Sequence, residues 1–251
     1  MDKNNFLFDA VKSFFYWFLI AVCTLVFYPL LLMAVICVYP FDSARKGIHP
    51  IISSWARAIL FICPLMNVKV EGEEYLNSKD TYILVSNHQS IADILVALHL
   101  KQSFKFIAKK ELFIIPILGW AMSQAGYIPL LRGSHQSSRK AIMIARSLVQ
   151  RGVSVLFFPE GTRSPDGMIR PFKTGAFKLA AETDVPIVPI VIDGTRNLVP
   201  KGSRLLNRNV SVKLKVLKPR RSLGRNNLVV ERMLAEVHSE MVEGLSQMRS
   251  H

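Results

Sequence analysis

Two side chains five residues apart, His88 and Asp93, have the types required for acid–base chemistry. A histidine can take a proton from a hydroxyl near neutral pH, while a carboxylate holds its other ring nitrogen. Five residues place two side chains about 140° apart around a single helix, too far for a same-face pair. The pairing therefore predicts that His88 lies on a loop and Asp93 in the first turn of a helix, with Ser90 as the N-cap.

The same residues have a purely structural explanation as well. Residues 90–93 (SIAD) match a capping-box pattern, and an acid near a helix N-terminus is stabilising without any catalytic duty. His88 could simply satisfy a backbone group of its loop. Taken alone, the short motif favours this structural explanation, because such a spacing recurs by chance.

A second motif, Phe157–Ser164 (FFPEGTRS), overlaps the end of the apolar run Val153–Phe158. Gly161 permits a tight turn with exposed backbone amides, and Arg163 offers a planar, permanently charged group that suits a phosphate. The alternative is an ordinary strand-to-loop junction with a solvated arginine. Lys173 adds a further cation downstream. The motif on its own leaves both explanations open.

Two further blocks contain candidate binding residues. Lys109, Lys110 and Arg132 could line a channel for a phosphate or for the phosphates of a cofactor, although each is more simply explained as a solvated surface charge. Residues 185–190 (VPIVPI) predict a core strand whose prolines suit the start of a strand or a sheet edge. Neither block identifies a ligand.

Strand and helix patterns alternate along the chain. Short, nearly continuous apolar runs predict strands covered on both faces at 82–86, 104–108, 153–158 and 187–192. Helices are predicted at Ser90–Leu100, at His135–Arg151 and, as an amphipathic C-terminal helix, at Asn226–Met248. Val210–Leu217 alternates strictly and predicts an edge strand guarded by lysines. We therefore expect an α/β fold with a largely parallel mixed sheet flanked by helices.

The N-terminal part has the composition of an apolar helical membrane anchor. Phe14–Tyr39 is an uncharged run of 26 residues, longer than the roughly 20 needed to cross a bilayer, with aromatics crowded at its start. Ile51–Met66 is also apolar but contains Arg57, which predicts a helix lying at the interface. A buried helical hairpin in a soluble core is the alternative. Leu112–Leu131 lacks charges too, but its prolines and glycines predict a helix, a turn and a strand within the domain.

The overall composition disfavours several classes of protein. The chain has 32 basic and 18 acidic residues, a formal net charge of +14, and half of its residues are hydrophobic. This favours an anionic lipid surface or anionic substrates, and the scattered charges without a recognisable motif disfavour nucleic acid. The sequence contains no serine elbow, P-loop or HExxH zinc motif. The three cysteines, Cys23, Cys37 and Cys63, are expected to be buried free thiols in a reducing compartment.

Four blocks, in this order and spacing, resemble the glycerolipid acyltransferase family, typified by 1-acyl-glycerol-3-phosphate acyltransferase. They are Asn87–Asp93, Lys110–Arg132, Phe158–Ser164 and Val185–Pro189. The resemblance spans about residues 80–190, and the apolar N-terminal segments extend it toward the start of the chain. One block would be weak support for the family, whereas four in register are strong support.

The resemblance implies a direct acyl transfer. His88 would act as general base on a free hydroxyl of the acceptor, and Asp93 would orient the ring. The hydroxyl oxygen would attack the thioester of acyl-CoA or acyl-carrier protein without a covalent acyl-enzyme. No metal and no cofactor is expected beyond this acyl donor. The residues that the resemblance assigns to substrate binding are Arg163 with Glu160, Gly161 and Thr162, assisted by Lys110 and Arg132.

The resemblance further implies acylation of the sn-2 hydroxyl of 1-acyl-glycerol-3-phosphate (lysophosphatidic acid) to phosphatidic acid in phospholipid biosynthesis. The alternatives are another lyso-lipid acceptor, such as a lysophospholipid or a lyso-aminolipid, and a non-catalytic lipid-binding protein of the same fold. We expect membrane-anchoring helices in residues 1–66, a catalytic α/β domain in 67–225 and a packed C-terminal helix in 226–251. We expect the protein at the inner, cytoplasmic membrane, its catalytic domain facing the cytoplasm, with the lipid bilayer as partner and no nucleic acid.

Overall fold

The computed structural model describes residues 3–42, 44–198, 205–207 and 209–250. The helices are α1 (Lys3–Val38), α2 (His49–Ile62), α3 (Asp93–Ala97), α4 (Leu118–Gln124), α5 (His135–Gln150), α6 (Gly175–Thr183) and α7 (Asn227–Ser250). The strands are β1 (Met66–Glu71), β2 (Ile83–Ser86), β3 (Phe104–Lys109), β4 (Ile128–Leu130), β5 (Ser154–Phe157), β6 (Ile187–Asp193) and β7 (Val210–Val216). Every strand and helix named from the sequence is present, and α3 is the one that is clearly shorter than expected.

The strands form one sheet in the order β1-β7-β6-β2-β5-β3-β4. Every neighbouring pair is parallel except β6 and β7, which run antiparallel. The carboxyl ends of β6, β2, β5, β3 and β4 consequently meet at one edge of the sheet. Open α/β sheets bind their ligands at this edge. The predicted α/β fold with a largely parallel mixed sheet is confirmed.

Helices cover both faces of the sheet. One face carries α1 to α4 and the other carries α5 to α7, each over its own hydrophobic core. All residues of the central strands β2 and β5 are buried, which explains why these strands are continuous apolar runs. The stripe predicted for α7 faces its core, where Leu234 is partly buried and the other members are fully buried. These members are Val230, Val237, Met241 and Leu245.

The prediction of an edge strand at Val210–Leu217 is wrong in its position. The strand β7 lies inside the sheet, and the edge on that side is β1. Lys213 Nζ donates to the carbonyl of Met248 (2.7 Å), and Lys215 Nζ donates to Gln247 Oε1 (3.4 Å). The last carbonyls of a helix lack partners within it and favour positive charge. The lysines of β7 therefore stabilise the C-terminal end of α7 instead of guarding an edge.

The two prolines of the predicted core strand differ in their placement. Pro186 precedes β6, as expected, whereas Pro189 lies inside β6, which is an interior strand. The pairing of β6 with β7 begins at Ile190 and Val216, one residue beyond Pro189. The carbonyl of Pro189 accepts a hydrogen bond from the N–H of Leu217 (2.9 Å). Proline has no backbone N–H to donate. At Pro189 this missing hydrogen-bond donor falls at the end of the β6–β7 pairing, where few hydrogen bonds between the strands are affected.

The N-terminal helices pack against each other and against the sheet. Within the described residues, one segment, Asp9–Val38 of α1, is long and apolar enough to cross a membrane by length and composition. The helix continues through Pro29. Trp55 of α2 donates from Nε1 to Thr24 Oγ1 of α1 (3.1 Å). The apolar stretch Ile51–Met66 divides into most of α2 and the first residue of β1.

The connection between α1 and α2 is fixed to the domain by charged groups. Lys105 of β3 is buried, and its Nζ donates to the carbonyl of Arg45 (2.8 Å). Arg45 Nη1 donates in turn to the carbonyls of Ser123 (2.8 Å) and Gln124 (2.6 Å). Burial lowers the pKa of Lys105 to about 8, an effect that Asp42 opposes and Arg45 increases.

Other expectations about the chain have mixed outcomes. The stretch Leu112–Leu131 forms a short 3-10 turn, α4 and β4, as predicted. Cys23 and Cys63 are buried free thiols, but Cys37 is exposed, which corrects the expectation for that residue. The predicted division of the chain into 1–66, 67–225 and 226–251 stays a prediction.

Candidate active site

His88 and Asp93 lie at the carboxyl end of β2. The strand ends at Ser86 and α3 begins at Asp93, so His88 lies on the intervening loop, as the spacing predicted. The ring Nδ1 of His88 is 2.7 Å from Oδ2 of Asp93. Asp93 is completely buried, and 12% of the His88 side chain is exposed. The structure thus brings the two predicted catalytic residues together.

Asp93 is the acceptor around which this loop is folded. Its Oδ2 also accepts from the backbone N–H groups of Gln89 (2.7 Å) and Ser90 (2.9 Å). Its Oδ1 accepts from the buried hydroxyl of Thr195 (2.5 Å). A buried carboxylate is costly unless donors surround it, and these groups and His88 surround it. Because Nδ1 of a neutral His88 donates to Asp93, its Nε2 is the acceptor of the ring.

The start of α3 differs from the prediction. Ala92 stands at the N-cap position instead of Ser90, whose hydroxyl accepts from the N–H of Ala92 (3.4 Å). The Asp93 carboxylate folds back onto the amides that precede it, so regular helix begins only at Asp93 itself. The structural and catalytic explanations of the motif are therefore compatible, since one carboxylate both organises the turn and binds His88.

The His88 ring also has an aromatic neighbour. Phe158, the first residue after β5, stacks on it with ring centroids 4.2 Å apart and 26° between the ring planes. The stacking and the hydrogen bond to Asp93 restrict the ring together. The orientation of the proposed base is thus fixed by two independent contacts.

The backbone of His88 is held by the loop that follows β5. Its N–H donates to Glu160 Oε1 (2.8 Å), and its carbonyl accepts from the N–H of Ser164 (2.8 Å). Glu160 Oε2 accepts from the N–H of Arg170 (3.1 Å), so backbone donors engage both oxygens of this buried carboxylate. The geometry therefore gives Glu160 the task of positioning His88 and offers no support for direct contact with a substrate.

The surroundings of Glu160 change its acidity. Burial raises the pKa of Glu160 to about 7, although the hydrogen bonds from the His88 and Arg170 amides oppose the rise. The nearby charge of Asp93 adds to it. The group that positions His88 therefore changes its charge near neutral pH.

Residues at the end of β6 complete the support of the loop. The Asn87 side chain donates from Nδ2 to the carbonyl of Ile192 and accepts at Oδ1 from its N–H, both at 2.8 Å. Gln89 Nε2 donates to Asp193 Oδ1 (3.1 Å), and Asp193 pairs with Arg249 of α7 (2.8 Å). The C-terminal helix is thus linked to the loop that carries His88 through the carboxylate of Asp193.

Sequence reasoning missed Thr195, Gln89 and Asp193. Thr195 lies 102 positions from Asp93, and no local pattern connects the two. One signal was available, because residues that follow neighbouring parallel strands meet at the same edge. The polar residues 193–195 (DGT) directly follow the predicted strand 187–192.

The turn after β5 carries the predicted phosphate-binding residues. Gly161 has φ +73°, a conformation that favours glycine. A Cβ there would lie 2.8 Å from Lys173 Nζ, so this lysine lies beside the turn. Thr162 is exposed and Arg163 partly exposed. Arg163 makes no hydrogen bond or ion pair with any other residue that the structure describes. Its guanidinium is therefore available to a ligand.

Lys110 and Arg132 lie further along the same edge. Lys110 directly follows β3, Arg132 follows β4 by two residues, and both are exposed. These strands are two and three positions from β2, or about 10 and 14 Å at the usual strand spacing. The structure brings both cations to the sheet edge that carries His88 but not into contact with His88. In the described ranges, no group of three or more His, Cys, Asp or Glu side chains is arranged to hold a metal ion.

This geometry suits proton transfer beside an anionic group. An imidazole with an acceptor nitrogen, a fixed orientation and a buried carboxylate behind it can deprotonate a hydroxyl. A guanidinium without protein partners can hold a phosphate. Both stand at the end of neighbouring strands β2 and β5.

Several known proteins are similar to this chain in sequence. A family model described as Acyltransferase matches residues 67–193, about half of the chain, including His88 and Arg163. The chloroplastic 1-acyl-sn-glycerol-3-phosphate acyltransferase BAT2 of Brassica napus is 44% identical over 181 residues, 71% of this chain and 52% of that protein. The protein of that activity name from Saccharomyces cerevisiae is 34% identical over 202 residues, 76% of this chain and 65% of that protein. This chain spans about half the length of the chloroplast relative.

A solved structure shares the fold. The crystal structure of the 1-acyl-sn-glycerophosphate (LPA) acyltransferase PlsC from Thermotoga maritima superposes with a TM-score of 0.82. It is 28% identical in sequence, over 98% of each chain. The agreement of family model, relatives and fold confirms the predicted resemblance, and this chain belongs to the acyltransferase family.

Proposed function

We propose that this chain transfers an acyl group from an acyl thioester to the sn-2 hydroxyl of 1-acyl-glycerol-3-phosphate, giving phosphatidic acid for phospholipid biosynthesis. The observation that carries the proposal is the His88–Asp93 pair, 2.7 Å apart, at the same edge as the guanidinium of Arg163. Relatives named 1-acyl-sn-glycerol-3-phosphate acyltransferase support this choice of acceptor.

In the proposed reaction, Nε2 of His88 accepts the proton of the acceptor hydroxyl. The hydroxyl oxygen attacks the carbonyl carbon of the thioester, so that a C–O bond forms. Collapse of the tetrahedral intermediate breaks the C–S bond, and the imidazolium returns its proton to the departing thiolate. Asp93 stabilises the imidazolium in between. Because the hydroxyl attacks the thioester directly, the proposed reaction uses no covalent acyl-enzyme, and its protons and electrons balance without a metal or a further cofactor.

Arg163 is the proposed ligand of the acceptor's phosphate. A planar guanidinium can donate two parallel hydrogen bonds to a phosphate, and Gly161 and Thr162 form the turn that presents it. Lys110 and Arg132 are proposed to assist with phosphate groups further along the edge. These would belong to acyl-CoA or to the prosthetic group of acyl-carrier protein.

The proposed location is the cytoplasmic face of a membrane, with the bilayer as partner. The α/β domain touches α1 at two levels, where Ser13 Oγ accepts from the N–H of Leu206 (2.9 Å) and the Tyr28 hydroxyl accepts from Gln124 Nε2 (3.3 Å). These levels are about 22 Å apart along the helix. If α1 crossed a hydrocarbon core of about 30 Å, the domain would have to follow it to a depth of about 22 Å, far beyond the roughly 5–10 Å that groups inserted at an interface reach. We infer that α1 lies in one leaflet beside the domain.

Hydrophobic anchoring by α1 predicts that the protein resists removal from membranes by salt. Washing with high salt screens the attraction of a net charge of +14 to anionic headgroups, but it does not weaken apolar contacts of α1. The protein should therefore remain with membranes after the wash. Release by salt alone would show that the attachment is only electrostatic.

The activity is tested with the full chain in lipid vesicles, given labelled acyl-CoA or acyl-carrier protein and a panel of lyso-lipids. Lysophosphatidic acid should be the preferred acceptor, and His88→Ala should abolish transfer. The matched control is His99→Ala, because the ring of His99 bonds to the nearby carbonyl of Leu95 (2.9 Å) and to no other residue that the structure describes. Its activity should stay near that of the wild type.

Each other result has a distinct meaning. Full activity of the His88→Ala variant would exclude His88 as the base. Preference for another lyso-lipid would replace the proposed acceptor. Absence of transfer to every acceptor by the wild type would favour a lipid-binding protein.

A further inference from the structure

The segment between β3 and β4 presents large apolar side chains to the outside of the protein. Ile114, Ile115 and Trp120 are 77%, 41% and 51% exposed, and we call them the apolar tip. Their neighbours Leu112 and Phe113 pack on the core instead. Packing inside the domain therefore does not account for the tip.

The backbone is folded tightly behind the apolar tip. The N–H of Leu118 donates to the carbonyl of Pro116 (2.7 Å), which closes a γ-turn centred on Ile117 at φ 65° and ψ −59°. A β-branched residue with positive φ is an outlier, and a γ-turn of this hand is strained. A Cβ on Gly119 would lie 2.2 Å from the carbonyl oxygen of Phe113, so this approach requires glycine. Strain of this kind persists where the surrounding structure enforces it, commonly at functional sites.

The apolar tip is continuous with the apolar surface of α1. The Trp120 ring lies 6.3 Å from the ring of Tyr28, measured between centroids. On α1, Leu25, one turn before Tyr28, is also exposed. Single exposed apolar side chains are common on protein surfaces and need no explanation. A contiguous apolar surface that α1 and the α/β domain share is instead typical of an interaction site.

Cations flank the apolar tip on the side of the sheet edge that carries His88. Lys110 begins the 3-10 turn that ends at Ile114, and Arg132 follows β4, which pairs with β3. Both side chains are exposed. Apolar groups beside a basic rim match the boundary between the acyl chains and the headgroups of an anionic bilayer.

We propose that the apolar tip inserts into the leaflet that holds α1 and gives the α/β domain its own contact with lipid. The proposal rests on the membrane location proposed above and adds a second contact by the catalytic domain. Two contacts fix the tilt of the domain as well as its attachment. The sheet edge that carries His88 then stands at headgroup level, where a lyso-lipid presents its hydroxyl.

The insertion is tested with nitroxide labels on the full chain in vesicles that contain anionic lipid. Ile114→Cys reports the tip, Met33→Cys reports α1, and Met143→Cys on α5 is the matched control, each in a Cys37→Ser background. Met143 is 70% exposed, similar to Ile114, but lies on the opposite face of the sheet. Labels at 114 and 33 should be accessible to oxygen and protected from a water-soluble nickel complex. The label at 143 should remain accessible to nickel.

The outcomes separate this inference from the membrane location. A label at 33 in lipid with a label at 114 in water overturns insertion of the apolar tip but leaves the anchoring of α1 intact. Both labels in water overturn the membrane location itself. Protection at 114 that requires no lipid and grows with protein concentration shows that a second copy covers the tip, which also overturns the proposal.

A functional measurement keeps the proposal testable if a label disturbs the turn. The double variant Ile114→Ser, Ile115→Ser removes apolar groups that touch no catalytic residue. It should transfer acyl groups to a lyso-lipid embedded in vesicles about tenfold more slowly. Transfer to a short-chain, water-soluble lyso-lipid should be unchanged. Equal losses on both acceptors would contradict a role at the membrane.

Discussion

Two groups of side chains at the sheet edge that carries His88 differ in how firmly they are held. The fixed group comprises His88, Asp93, Glu160 and Thr195, which are joined by short hydrogen bonds and largely buried. The open group comprises Arg163, Lys110 and Arg132, which are partly or fully exposed.

The difference follows from what each group is proposed to do. Proton transfer requires a geometry that is set before the substrate arrives, because small displacements of the base are costly. Long cationic side chains can instead close on a phosphate when it binds. Changes in the fixed group should therefore lower kcat, whereas changes in the open group should raise KM.

The largest effect is expected for Asp93→Asn. An amide cannot stabilise the imidazolium, and it would place a donor where His88 and two backbone amides donate. We expect kcat to fall about a thousandfold with KM nearly unchanged, measured by acyl-transfer kinetics in vesicles. The control Asp184→Asn, at an exposed turn, should behave as the wild type. A raised KM with normal kcat would remove Asp93 from the fixed group.

The pH dependence of the stability of the folded chain tests the role of Glu160 in the fixed group. The pKa of Glu160 is about 7 in the folded chain against an ordinary 4.5, so the unfolded chain loses its proton first as the pH rises. The Glu160 carboxyl therefore stabilises the folded state at low pH. As the pH rises from about 4.5 to 7, the free energy of unfolding should fall by at most about 3 kcal/mol because of this group. Glu160→Gln should flatten this part of the curve of Tm against pH, measured in detergent.

Glu160→Gln should also lower the stability at pH 5, because an amide can accept only one of the two backbone hydrogen bonds. Glu231→Gln is the control, since Glu231 is an exposed residue of α7 and undergoes the same Glu-to-Gln replacement far from His88. If the wild type and Glu160→Gln show the same slope of Tm against pH, the raised pKa is wrong.

Substitution of Arg163 tests whether the open group contributes to binding of the acceptor. Arg163→Ala should raise KM for the acceptor about 50-fold, or roughly 2 kcal/mol, because charge-assisted hydrogen bonds are lost, while kcat changes little. Arg163→Lys should recover part of the affinity, since a lysine keeps the charge but not the planar fork. The exposed Arg139→Ala is the control. A fall in kcat alone would place Arg163 with the fixed group.

The smallest effect is expected for Thr195→Val, which removes one donor from Asp93 at nearly constant volume. We expect kcat to fall about tenfold with unchanged KM, because one hydrogen bond of about 1 kcal/mol or somewhat more is lost. Thr195→Ser should restore the rate, which a packing role would not predict. Thr174→Val, at an exposed position before α6, serves as control.

Much of the fold could be predicted from the sequence. The strands of the central sheet are buried on both faces, so their apolar runs are continuous and visible in one dimension. The position of β7 could not be predicted, because its alternating pattern fits an edge strand and equally an interior strand beside α7. Which strand pairs with which depends on contacts between distant residues.

In the candidate site, too, some features could be predicted from the sequence and others depend on the folded chain. The types and spacing of His88 and Asp93, and the glycine and arginine after β5, belong to short motifs that the sequence determined by itself. The contribution of Glu160 to substrate binding stays a prediction, and its contact with the His88 backbone could not be predicted, because its burial and its two backbone donors are properties of the folded chain.

Only the tertiary structure placed Thr195 on Asp93, 102 residues away, and α1 alongside the α/β domain. Local patterns determine which residues can do chemistry and which segments are apolar. The order of the strands in the sheet determines which of those residues meet. The sequence alone thus identified the candidate pair His88 and Asp93, and the neighbouring carboxyl ends of β2, β5 and β6 decided what holds the pair in place.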